Sequence, residues 1–86
     1  MAEWLDRMEV RWMRPLPIKW LDELDKSRLY YPDFYLPDLD LYLDPKNPTA
    51  MLADAYKMQK VSALIRIIYG DVGYIKEQVA QLLNTA

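Results

Sequence analysis

The sequence predicts one small α/β domain over residues 1–86, a mixed β-sheet flanked by helices in the order α-β-β-β-α-β-α. Three observations predict it. Apolar residues recur at helical spacing near both ends, the middle third is dense in aromatic and alternating aliphatic residues, and a further helical stretch precedes one more β-rich run. Strands that come first as a hairpin or meander, and then through a β-α-β crossover, make a mixed sheet. A chain of 86 residues has room for a single core.

From Ala2 to about Met13 the run AEWLDRMEVRWM sets Leu5, Met8 and Trp12 at helical spacing. Arg14-Pro15 ends that helix, because the residue before a proline is pushed out of the α region. Leu16 to Leu21 and Arg28 to Leu36 are β-rich runs around the polar turn DELDKS and read as a hairpin. Leu39 to Leu43 alternates, with Leu39, Leu41 and Leu43 on one face and Asp38, Asp40, Tyr42 and Asp44 on the other. This is a third strand, entered through a turn at Pro37-Asp38, and Asp38 and Asp40 are turn and solvent residues. Thr49 caps a helix to about Lys60, with Met51, Ala55 and Met58 facing inward. Ser62 to Tyr69 is dense in β-branched and aromatic residues, is bounded by Gly70, and reads as a buried fourth strand. Asp71 or Gly73 begins the last helix, whose apolar stripe is Ile75, Val79, Leu82 and Leu83.

Composition narrows the chemistry. With 52% hydrophobic and 28% charged residues the chain is globular rather than disordered, and no apolar run reaches the ~18 residues of a membrane span. The start MAEWLDRMEV has neither the basic nor the apolar region of a signal peptide, so a cytoplasmic, intracellular location is expected. The absence of Cys and His excludes a disulfide framework, a structural zinc site and a histidine general base. Net charge is −2, so nucleic acid would have to be met by a local patch rather than by bulk attraction. Carboxylates with lysine remain, and they suit Mg²⁺ or Mn²⁺.

One stretch, YYPDFYLPDLDLYLDPKN from Tyr30 to Asn47, assembles such groups. Residues two apart on a strand point to one face, so Asp44 and Lys46 project together, and Asp33 lies on the preceding strand. If those strands pair antiparallel, two carboxylates and one ammonium converge, as a hard divalent cation and phosphodiester hydrolysis require. Lys57 and Lys60 lie on one helix face beside this place, and Tyr30, Tyr31, Tyr35 and Tyr42 flank the acids. Of these, Lys57, Lys60, Tyr31 and Tyr35 are the candidate nucleic-acid contacts, for phosphates and for base stacking. Arg7, Arg11 and Arg14, with Lys19, form a further basic strip.

The chain resembles the PD-(D/E)xK nuclease superfamily, the restriction-endonuclease-like fold that includes phage Holliday-junction resolvases and some homing endonucleases. The matching pieces are YYPDFYLP, then LYLDPK, then the helix NPTAMLADAYKMQKV, within a core order that matches from about Leu5 to Tyr69. The resemblance implies a Mg²⁺-dependent DNA endonuclease in a phage or mobile-element setting, with Asp33 and Asp44 as metal ligands. It further implies a third oxygen from the Pro45 carbonyl and Lys46 as the catalytic lysine. This sequence departs from the family pattern at Asp44, where Glu is usual, and at Pro45, which has no N–H for a sheet ladder and belongs at a strand edge, end or bulge. The first-helix Glu of many members falls just before Met1 in this match, which leaves Glu3 and Glu9 as substitutes. The alternative is a decayed or truncated nuclease fold that serves as a non-catalytic DNA- or protein-interaction module. For an active enzyme, a homodimer would supply the grip on a duplex that so short a chain lacks.

Overall fold

The computed structural model describes residues 1–85. The first helix, α1 (Ala2–Arg7), is half the predicted length. Glu9 takes a left-handed conformation with φ 59°, and the N–H groups of Glu9 and Val10 return to the carbonyls of Asp6 and Leu5 at 3.1 and 2.9 Å. These two bonds close the helix two turns early, with Glu in the position usually held by Gly. The chain then runs extended, and Met13 exchanges both backbone hydrogen bonds with Tyr35 at 2.9 Å.

A hairpin follows, β1 (Ile18–Leu21) against β2 (Ser27–Tyr30), with Ile18 opposite Tyr30. Its turn is organised by Asp22, whose Oδ1 accepts from the N–H groups of Leu24 and Lys26 at 2.8 and 3.0 Å. The predicted strand from Arg28 to Leu36 is two strands in two sheets. Pro32 has no N–H, so the ladder stops at Tyr30, the chain bends at Asp33, and β3 (Phe34–Leu36) begins in a second sheet. After a turn in which Asp40 is left-handed, with φ 47°, β4 (Leu41–Pro45) pairs antiparallel with β3.

The helical stretch after β4 is also two pieces. α2 (Pro48–Ala53) is capped by Asn47, whose Oδ1 accepts from Ala50 N–H at 2.8 Å, with Pro48 at the first helical position; Thr49, the expected cap, lies inside the helix. Asp54 breaks the helix, with φ −100° and ψ 10°, and α3 (Ala55–Ser62) carries on. The fourth predicted strand therefore starts late, as β5 (Ile67–Gly70), parallel to β4 with Asp44 opposite Tyr69. Ser62, expected to open that strand, is instead the last residue of α3, and Val61 before it is fully buried. The last helix, α4 (Val72–Asn84), is capped by Asp71 and buries Ile75 and Val79.

The result is a small α/β protein with one mixed sheet, order β3-β4-β5, and one two-stranded antiparallel sheet, rather than the single mixed sheet expected. Alternation along the central strand β4 divides the interior. Leu41 and Leu43 join Leu5, Phe34, Leu36, Ile75 and Val79 on one face. On the other, Trp20 and Tyr30 of the hairpin pack with Met58 and Val61 of α3 and against Ile67 and Tyr69. Among the described residues no helix is long and apolar enough to cross a membrane.

Candidate active site

Asp44 is a charged residue inside this second interior, only 6% exposed. Strand alternation turns its side chain to the face of Tyr42 and Lys46, away from Leu41 and Leu43. Two donors meet its Oδ2: the Tyr30 hydroxyl donates a hydrogen bond, and Lys46 Nζ lies 3.2 Å away. Oδ1 takes no hydrogen bond among the described residues. Lys46 Nζ also donates to Asp54 Oδ2 at 2.9 Å, and Lys57 Nζ approaches the other Asp54 oxygen at 3.4 Å. The break between α2 and α3 falls at Asp54, the residue that holds Lys46.

Asp33 stands just before β3. Continuing the β3–β4 register one step beyond Phe34 and Leu43 sets Asp33 against Asp44 on the same face. Its carboxylate makes no hydrogen bond among the described residues; its backbone carbonyl accepts from Arg14 Nη1 at 3.1 Å. Partial burial, and then the nearby charge of Asp44, push the Asp33 carboxyl above its ordinary range. Burial works against the charge on Lys46, yet the carboxylates of Asp54 and Asp44 outweigh it and hold the ammonium above the usual lysine value. Asp54 is held below the carboxylate range by its hydrogen bond from Lys46. Tyr30 is pushed well above the usual phenol range by burial and by its bond to Asp44.

Pro45 is tolerated in the central strand for a geometric reason. It is the last residue of β4 and lies beyond the three residues that β3 pairs. The parallel ladder to β5 uses alternate residues, with Tyr42 N–H donating to the Arg66 carbonyl at 2.9 Å and Lys46 N–H to the Gly70 carbonyl at 2.7 Å. Residue 45 therefore turns its imino nitrogen and carbonyl away from β5, to the side where β3 has ended and Asp33 stands. No ladder bond is lost, and a carbonyl oxygen is presented there.

The donor set suits a hard divalent cation: two carboxylates on opposed register positions, an oxygen on the buried one that takes no hydrogen bond, and a backbone carbonyl on the same side. Among the described residues no three acids gather as a metal-holding group. Mg²⁺ commonly takes one or two carboxylates and completes its shell with water.

The remaining candidates separate. Lys57 belongs to this site, lying 5.3 Å over the Tyr30 ring, whereas Lys60 sits over Tyr56 at the surface. Tyr31 is exposed; Tyr35 donates to Asp40 at 2.7 Å and packs on Tyr42 with ring centroids 4.7 Å apart. Neither Glu3 nor Glu9 serves as the helical acid: α1 packs through Leu5 on the opposite sheet face, and Glu9 lies beyond its end. Sequence reasoning missed two residues. They are Tyr30, whose hydroxyl sits on Asp44 rather than merely flanking the acids, and Asp54, which holds Lys46. The polar cluster borders a groove of about 850 Å³, whose lining includes Lys46, Met51, Leu52, Ile67, Tyr69 and Tyr74. No family model, curated protein or solved structure matches this chain.

Proposed function

We propose that this chain is a Mg²⁺- or Mn²⁺-dependent DNA endonuclease of the PD-(D/E)xK type. One juxtaposition carries the reading: Asp33 opposes Asp44 at the end of β3, where the Pro45 carbonyl turns to the same side and Lys46 Nζ stands 3.2 Å from Asp44. Asp33, Asp44 and the Pro45 carbonyl would hold the cation. When bound, it would supply Lewis-acid polarisation of the scissile phosphate. Lys46 keeps its proton, because Asp54 and Asp44 hold it charged, and its ammonium faces the negative charge that develops as the phosphodiester breaks. Asp54 orients Lys46, and Tyr30 orients Asp44. A homodimer would bring two such sites to the two strands of a duplex.

A second reading, a nuclease-like fold that binds without cutting, is favoured by one feature. Lys46 and Asp44 already neutralise each other, with Asp54 and Tyr30 closing the network. The two readings part in a cleavage assay on plasmid and branched DNA with Mg²⁺ or Mn²⁺. The nuclease reading expects cutting by the wild type that falls at least roughly a hundredfold in Asp33→Asn, a substitution that retains side-chain volume. An uncut substrate, or equal cutting by the variant with circular dichroism unchanged, defeats it.

A further inference from the structure

We propose that Arg14 binds a backbone phosphate of DNA, next to the phosphodiester held at Asp33, Asp44 and Lys46. The proposal rests on the nuclease reading and adds a substrate contact to it. Arg14 lies on the segment between Met13 and β1, exposed at the surface, yet its guanidinium is held in place from three sides. Nη1 donates to the Asp33 carbonyl at 3.1 Å, and Cζ stands 5.5 Å over the Phe34 ring and 5.9 Å over the Trp12 ring. Those two rings are themselves locked edge to face with centroids 5.1 Å apart.

Arg14 is fixed without an ion pair, as Arg66 is on the Leu39 carbonyl, but Arg14 is anchored at a residue of the candidate site. Arg11, Arg28, Lys46 and Lys57 have each found a carboxylate, whereas Arg14 makes no ion pair among the described residues. A guanidinium has five N–H donors in a planar fork that matches phosphate oxygens. One is used on Asp33, and exposure leaves others for solvent or ligand. Because its anchor is the backbone of Asp33, Arg14 keeps a set position relative to the carboxylates. A strand entering the site would otherwise meet acidic groups in a chain of net charge −2. A preordered cation beside them offsets that repulsion and loses little side-chain entropy on binding.

The test is the salt dependence of binding. Fluorescence anisotropy of labelled duplex and branched DNA is measured in EDTA, where cleavage does not compete, across a series of KCl concentrations. Each phosphate neutralised contributes about 0.9 to the slope of log K against log salt on a duplex. Arg14→Gln should weaken binding roughly tenfold and lower the slope by about 0.9, while Arg14→Lys keeps the slope. In Mg²⁺, Arg14→Gln should raise KM with kcat nearly unchanged. An unchanged slope in Arg14→Gln, whatever its affinity, would show a residue that only packs on Trp12 and Phe34, and overturns the proposal while leaving the nuclease reading intact. Wild type that neither binds nor cuts DNA overturns both.

Discussion

Asp44 and Lys46 form an ion pair whose side chains are only 8% and 9% exposed, and that burial sets how they respond to change. Lys46→Ala leaves Asp44 and Asp54 without their cation and should cost about 3–5 kcal/mol, read as a lower midpoint in urea unfolding. Lost cleavage in that variant is therefore ambiguous, and Asp33→Asn is the sharper probe. Asp33 makes no ion pair among the described residues, and burial and Asp44 raise its carboxyl by more than Arg14 and Lys46 lower it. A group raised on folding favours the folded chain while protonated, below the ordinary carboxylate range, and that contribution is lost as pH rises through the raised value. Asp54, depressed by Lys46, behaves oppositely: its contribution stands above the ordinary range and is lost as pH falls through the depressed value. Asp33→Asn should thus be more stable than wild type at neutral pH, on the order of 0.5 kcal/mol, with the gap closing in acid. A variant less stable at neutral pH would mean that Asp33 has a favourable partner.

Short elements with well-marked ends explain how so few residues reach one site. α1 stops after Arg7 because Glu9 turns left-handed, and this frees Val10 to Arg14 to run beside β3 and deliver Arg14. Left-handed backbone costs a residue with a Cβ about 1 kcal/mol relative to Gly, so Glu9→Gly should raise stability by about that much. Thermal melts check it, and a loss of stability would mean that the Glu9 side chain makes up the strain. Asp54 has the corresponding role between α2 and α3. Asp54 sits where α2 gives way to α3, and from there its carboxylate holds Lys46. Some of this was legible. The α4 stripe, the hairpin and the strand bearing Asp44 follow from periodicity and turn residues. The split at Pro32, the break at Asp54 and the helical state of Ser62 do not, because an apolar run such as SALIRII satisfies a helix and a strand equally well.

The two apolar interiors, one on each face of the mixed sheet, give the molecule its shape. The Cα radius of gyration is 13.3 Å, against about 12 Å for a compact chain of this length, in keeping with a hairpin set apart from the main sheet. The candidate site lies where hairpin, α3 and sheet meet, so a cation bound there ties these parts together. Mg²⁺ at a hundredfold excess over its Kd should stabilise the wild type by about 2.7 kcal/mol, and Asp33→Asn should lose most of that gain. Equal melting with and without Mg²⁺ in the wild type would remove the metal from the proposed function.

Period-two alternation was enough to put Asp44 and Lys46 on one face, and the turn after Leu36 was enough to bring Asp33 back toward Asp44, because both are local consequences of strand geometry. Tertiary packing decided the rest. Tyr30 reaches Asp44 from another sheet, Asp54 reaches Lys46 from a broken helix, and Arg14 reaches Asp33 from the segment leading into the hairpin. Each contact joins elements whose relative placement depends on how the two interiors close. No spacing along the chain encodes that closure.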